Sequence, residues 1–193
     1  MSLVDRAKNI ITSPKSEWEV VASESADMGG VLTGYVLPMA AIPAVASIIG
    51  ALIFSGSIMA GIATAIMTYV VSIIAVLLTA FVVNILADSF NSEKDMGRAT
   101  QLVAYSYTPM WIGGVLNIIP FLAPIGILFG LYGLYLLYLG LPHTMKTPQE
   151  KVVIYLIVTI VVLFVIYMVL GLVIGGILAA IFGAAILGAA GAF

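Results

Sequence analysis

Asn84 and Asp88 stand four residues apart, the spacing that places two side chains on one face of a helix. They close a long apolar run. An amide and a carboxylate at the end of such a run could line a polar vestibule for a solute or an ion. The plainer reading makes Asp88 the first residue in water and lets Asn84 hydrogen-bond a neighbouring helix. The next polar group is Tyr105-Ser106-Tyr107-Thr108-Pro109. Pro109 inside a helix removes a backbone hydrogen bond and is expected to kink it. Ser106, Thr108 and water can satisfy the freed carbonyl. Tyr105 and Pro109 share a face at i and i+4, and Tyr107 lies off it. Asn117 follows, close to Pro120. These eight residues, from Asn84 to Asn117, form the candidate functional polar cluster.

Other chemistry is hard to assemble. His143 is the single histidine and reads as a loop residue beside Pro142, with Met145 nearby completing no metal site. The spacing of Asp88, Glu93, Asp95 and His143 matches no metal-ligand motif. There are no cysteines, which excludes disulfides and thiolate metal sites. No phosphate loop, HExxH or GxSxG motif occurs. An intramembrane aspartyl protease needs two carboxylates, and Asp88 is alone. The expectation is a protein that is not an enzyme and takes no cofactor or metal. Tyr132, Tyr135 and Tyr138 recur every three residues and read as packing plus an interfacial belt; a cation-binding aromatic stripe is the alternative.

The elements that must position these residues belong to a bilayer. The chain is 63% hydrophobic and 8% charged, against about 25% charged in a soluble domain. A net charge of −2 gives no basic field for nucleic acid. The charged residues form three clusters, Asp5 to Asp27, Asp88 to Arg98 and Lys146 to Lys151. A crossing takes about 20 apolar residues, so the uncharged stretches predict five spans. These are 31–54, 58–87, 99–119, 123–141 and 152–175, divided at Ser55-Gly56-Ser57 and at Pro120 and Pro124. One straight helix from 152 to 193 would be about 63 Å long. An apolar extension from Gly176 therefore reads as a bent continuation or a weak sixth span. The fold class is an all-α membrane protein, a five-helix transmembrane bundle over 29–193 with an N-terminal interfacial helix pair over 1–28.

With the N-terminus in the cytoplasm, five spans put Arg6, Lys8, Lys15, Lys94, Arg98, Lys146 and Lys151 on the cytoplasmic side. The C-terminus is then outside with five spans and inside with six. No cleaved signal peptide is read at the N-terminus.

Ser2 and Asp5 have the spacing of a capping box, with Asp in place of Glu. Leu3, Val4, Ala7, Ile10 and Ile11 then recur on one helical face, with Asp5, Arg6 and Lys8 elsewhere. Ser13-Pro14 starts a second helix, with Ser as cap and Pro in the first turn. The pair is expected to lie on the membrane interface with Trp18 as anchor, and could also dock a cytosolic protein. Gly30/Gly34, Gly126/Gly130 and Gly171/Gly175 are small-residue pairs that allow close helix approach. Internal packing is expected of them, with homo-oligomerisation as the alternative.

Three segments in order resemble the Yip family, the Ypt/Rab-interacting membrane proteins, in their short prokaryotic form. Ser13-Pro14-Lys15-Ser16-Glu17-Trp18 looks like that form's SPxxxW segment. Ala104 to Pro109 is similar to the family's third-span Tyr-x-x-x-Pro element. Leu131 to Pro142, with Met145-Lys146-Thr147-Pro148 after it, resembles the fourth-span ending. The resemblance covers nearly the whole chain and implies five spans with a cytosolic N-terminus. It also implies a multi-pass protein of a prokaryotic inner membrane whose role is undefined. Eukaryotic members look like vesicle-traffic adaptors that contact Rab GTPases through a long N-terminal region with an Asp-Leu-Tyr-Gly-Pro segment, and this chain lacks both features.

The leading functional expectation is a non-enzymatic membrane scaffold or adaptor whose partners are membrane lipid and a cytoplasmic protein. The alternatives are a small-solute or ion channel or transporter using the vestibule, and a lipid-binding or membrane-shaping protein.

Overall fold

The computed structural model describes the backbone of residues 1–190 and the side chains through Val173, apart from those at 120 and 123. Among the described residues the secondary structure is wholly helical. Helix α1 spans Leu3–Thr12 and α2 spans Pro14–Ser23. The Ser2 hydroxyl accepts from the Asp5 amide at 3.1 Å and donates to the Asp5 carboxylate at 2.6 Å, so one short residue pair caps α1. Pro14 stands in the first turn of α2, where its missing N–H costs nothing.

Four helices are long and apolar enough to cross a membrane: α3 (Met28–Ser55), α4 (Ile58–Phe90), α7 (Gly126–Thr144) and the Gln149–Val173 part of α8. Asp27 caps α3 by accepting from the Gly30 amide at 3.0 Å, and a π turn at Leu32–Val36 interrupts it. Gly56, at φ +65°, ends α3 in the left-handed conformation that suits glycine. Ser57 then caps α4, accepting from Ala60 at 3.2 Å. The last turn of α4, Ala87–Phe90, is 3-10, and Asn91 follows at φ 55°. Helix α8 continues unbroken from Gln149 to Ala190. The side chains of the C-terminal stretch from Gly176, read above as a bent extension or sixth span, lie outside those described, as does the surrounding of Gly175.

The segment read as a single span over 99–119 is broken. Helix α5 (Met96–Ser106) stops at Tyr107, and α6 (Thr108–Gly113) begins with Pro109 in its first turn. Two 3-10 stretches follow, Gly114–Ile118 and Pro120–Ile125. Proline offers no N–H to continue α5 and suits the start of a new helix. The close approach of Gly114 to Pro43 then shapes the exit: a β-carbon on Gly114 would lie 2.5 Å from that of Pro43. A second correction concerns His143. It is not in a loop but in the last turn of α7, with its Nδ1 2.8 Å from the Leu139 carbonyl oxygen.

Helices α3 and α4 form a hairpin, α5 packs between α4 and α7, and α8 lies along α4 and α7. The N-terminal pair sits on this bundle, α2 against α7 and α1 against α5 and α6. Trp18, Trp111, Tyr155, Leu102, Leu136 and Gln101 are fully buried. Ile53, Met59, Met67, Phe81, Leu128 and Phe164 lie exposed on the outer faces of the long helices, as lipid contact requires.

Candidate functional site

The expected polar cluster does not form one site. Asp88 is exposed at the end of α4, where its carboxylate accepts from Lys94 at 3.3 Å. Asn84 points inward, and its side-chain oxygen is buried with no hydrogen-bond partner among the described residues. The 3-10 turn that begins at Ala87 takes Asp88 off the helical register that four-residue spacing assumes. Asn117 lies toward the opposite end of the bundle, in the wall of a cavity with Thr68.

The aromatic segment is the real centre, and its side chains fan out to different helices. The Thr108 hydroxyl is 2.7 Å from the Tyr35 hydroxyl of α3. Tyr107 reaches Thr79 of α4 at 3.0 Å. Trp111 donates its indole N–H to Ser72, also on α4, at 2.6 Å. Ser106 is buried, and its hydroxyl has no partner among the described residues. Thr108 thus turns to α3, while Tyr107 and Trp111, four residues apart, both turn to α4.

Tyr105 faces the N-terminal pair, and here the structure assembles something the sequence did not announce. Arg6 of α1 is buried. It donates to Glu17 at 2.6 Å and to Glu24, both from the α2 side, and its guanidinium stands 5.1 Å from the Tyr105 ring centroid. Tyr35 meets Tyr105 edge to face, with centroids 4.8 Å apart. Gln101 donates to the Ser25 carbonyl at 2.7 Å and accepts from Arg98, which also donates to the Val21 carbonyl. The helix pair is thus held by a desolvated cation with two carboxylates and by backbone contacts at its far end. A cavity of about 410 Å³ opens beside it, walled by Arg6, Glu24, Asp27, Tyr35, Gln101 and Tyr105 among others.

Trp18, expected as an interface anchor, lies inside instead. Its relative exposure is 0%, its ring centroid is 6.3 Å from that of Tyr105, and it fills the space above Gly140 of α7. A β-carbon at Gly140 would come within 2.8 Å of the Trp18 ring. Tyr132 of α7 donates to the Ile11 carbonyl at 2.6 Å, fixing α1 as well. The glycine pairs likewise depart from expectation. Gly34, Gly126, Gly130 and Gly171 would each present a β-carbon to open space, so among the described residues these positions bring no neighbouring helix into close approach.

The two polar loops are tied together. Ser92 and Thr147 hydroxyls are 2.9 Å apart, Glu93 donates its amide to the Met145 carbonyl at 2.7 Å, and Lys146 donates to the Glu93 carboxylate at 2.5 Å. Lys151 reaches Asn91 at 2.6 Å.

Arg6, Glu17, Glu24, Tyr35 and Gln101 escaped the sequence reading. Helical periodicity counted Arg6 with the outward polar face. Glu17 lies on α2 and Glu24 is the extended residue that ends it, so no single-helix period brings the two carboxylates together on Arg6.

Residues 8–171 match a family profile described as the Yip1 domain. That stretch runs from within α1 into α8 and includes Trp18, Tyr105 and Gly140. Neither a curated protein nor a solved structure matches the chain.

Proposed function

We propose, from the premise that this chain belongs to the Yip1 domain family, that it is a non-enzymatic integral membrane scaffold. Its partner-facing surface would be the docked helix pair together with the two tied loops. The observation that carries this reading is the buried Arg6 with Glu17 and Glu24 under the pair. Removing an ion pair of this kind from water is costly unless the geometry is well satisfied. It holds the two helices in one orientation on the bundle, which a loose interfacial anchor would not require. With that side buried, the outward side presents Asp5, Lys8, Lys15, Ser16 and Glu19 in a fixed arrangement.

The loops support a reading with five crossings. The loop after α4 and the loop after α7 are bonded to each other, so they share one side of the membrane. Helix α7 has 19 residues and covers about 28 Å. The broken segment of α5, α6 and the 3-10 stretches must climb as far as α7 descends, and it makes the third crossing. All seven Lys and Arg then sit with the N-terminus on the cytoplasmic side of, we propose, a prokaryotic inner membrane. A transport pathway through Asp88 lacks support, because Asp88 is exposed and paired with Lys94.

The test is photocrosslinking of the full chain in native membranes, with the reactive group at Lys8 or Lys15. The scaffold reading expects a discrete protein adduct from these positions and none from lipid-facing Phe164. Adducts to lipid alone at every position would overturn it.

A further inference from the structure

Three cavities lie end to end along α4 within the apolar part of the bundle. The first, about 520 Å³, starts by the α3–α4 hairpin and is lined by Thr64, Thr68 and Asn117 among others. The second, about 430 Å³, shares Thr68 and Asn117 with the first and adds Ser72 and Tyr107. The third, about 100 Å³, shares Tyr107 and Met110 with the second and ends among Ser106, Thr79 and Thr159. Thr64, Thr68, Ser72 and Thr79 recur at four- and seven-residue spacing, so one face of α4 carries a row of hydroxyls past all three. Ser47 and Ser55 of the first cavity bond carbonyls of their own helix and Trp111 of the second bonds Ser72; the rest of the walls are apolar.

Two features say what could enter. None of the described residues lining the three cavities is Asp, Glu, Lys, Arg or His. An ion or a charged headgroup would find no countercharge at this depth, where charge is expensive. The openings face sideways: Val71 and Met110, which line the second cavity, are 53% and 47% exposed on the lipid-facing surface. Gly126 and Gly130 border the second and third cavities with open space where a side chain would stand. At the inner end sits the Ser106 hydroxyl, 3% exposed as a residue and without a hydrogen-bond partner among those described. A buried hydroxyl in this condition calls for a partner. The two larger cavities fall in the usual range for small-molecule sites, about 300–1,000 Å³.

We propose that this track is a lateral binding site for a neutral, hydroxyl-bearing lipid of the diacylglycerol type. Its chains lie against the apolar walls, and its polar end hydrogen-bonds Ser106 and the hydroxyls beside it. The site is separate from the scaffold surface, so its failure would leave that reading standing.

The experiment uses the full chain in phosphatidylglycerol nanodiscs with a photoactivatable diacylglycerol, and a photoactivatable phosphatidylglycerol as the charged control. Gly130→Leu fills the track, and its β-carbon meets open space, so the fold has room for it; Gly126→Leu serves as a second blocking variant should the first fail to fold. Diacylglycerol labelling of the peptide containing Ser106 is expected to fall at least tenfold in the blocking variant. Ser106→Ala, which removes one hydrogen bond, should reduce it about three- to tenfold. Phosphatidylglycerol labelling should be unchanged. Equal diacylglycerol labelling of wild type and blocked chain, or an equal loss of both labels, would overturn the proposal.

Discussion

The guanidinium of Arg6 stands 5.1 Å from the centre of the Tyr105 ring, with Glu17 and Glu24 closing its other sides. This contact joins the N-terminal helix pair to the broken third segment. Trp18 lies 6.3 Å from the same ring, so Tyr105 supports both helices of the pair at once.

Loss of Arg6 should undock the pair. Arg6→Gln leaves Glu17 buried without a countercharge, a defect that typically costs about 3–5 kcal/mol. Arg6→Lys should recover only part of this, because an ammonium cannot hold two carboxylates in the planar fork of a guanidinium. Combining Arg6→Gln with Glu17→Gln should cost less than the two single changes added. Thermal unfolding of the four proteins in detergent checks this, and strict additivity would contradict the pairing.

The Trp18 seat should be intolerant from both sides. Trp18→Ala is expected to destabilise by about 3–5 kcal/mol through the cavity it leaves. Gly140→Ala should also destabilise, since the added carbon would stand 2.4 Å from Leu102 Cδ1 and 2.8 Å from the indole. An interfacial Trp18 would leave Trp18→Ala near neutral in the same unfolding measurement.

Asp88 should matter little. Its side chain is 68% exposed and faces Lys94 at 3.3 Å, and surface pairs of this kind contribute about 0–1 kcal/mol. Asp88→Asn is predicted to leave both unfolding and partner crosslinking unchanged. A loss of crosslinking would place Asp88 on the docking surface.

The loops can be joined chemically, because the chain has no native cysteine. Ser92→Cys with Thr147→Cys should form a disulfide readily in membranes, as the two hydroxyls are 2.9 Å apart. In separate single-cysteine proteins, the exposed neighbours Glu93→Cys and Lys146→Cys should both react with a membrane-impermeant thiol reagent from the same side. Opposite-side labelling would remove the broken segment as a crossing.

Much of the architecture is legible in the residues. Ser2, Ser57 and Asp27 accept the first free amides of their helices, and long apolar runs follow two of them. The segments that resembled the Yip family also meet in space, since Trp18, Tyr105 and Gly140 share one contact region. What stayed hidden depends on tertiary neighbours. Arg6 looked outward because periodicity sees only its own helix, while its partners lie 11 and 18 residues away. Val4 was counted with the apolar face yet is 70% exposed, because α1 turns Arg6 inward instead. Pro109 announced a kink, and the structure makes it a helix start, with Pro109 in the first turn of α6.

Hydrogen–deuterium exchange of the full chain in nanodiscs tests the docked platform most directly. The buried contacts under α1 and α2 predict slow exchange of amides from Ala7 to Val21 in the wild type, comparable with the start of α7, and fast exchange in Arg6→Gln. Wild-type amides in that stretch exchanging as fast as those of an unfolded segment would contradict it.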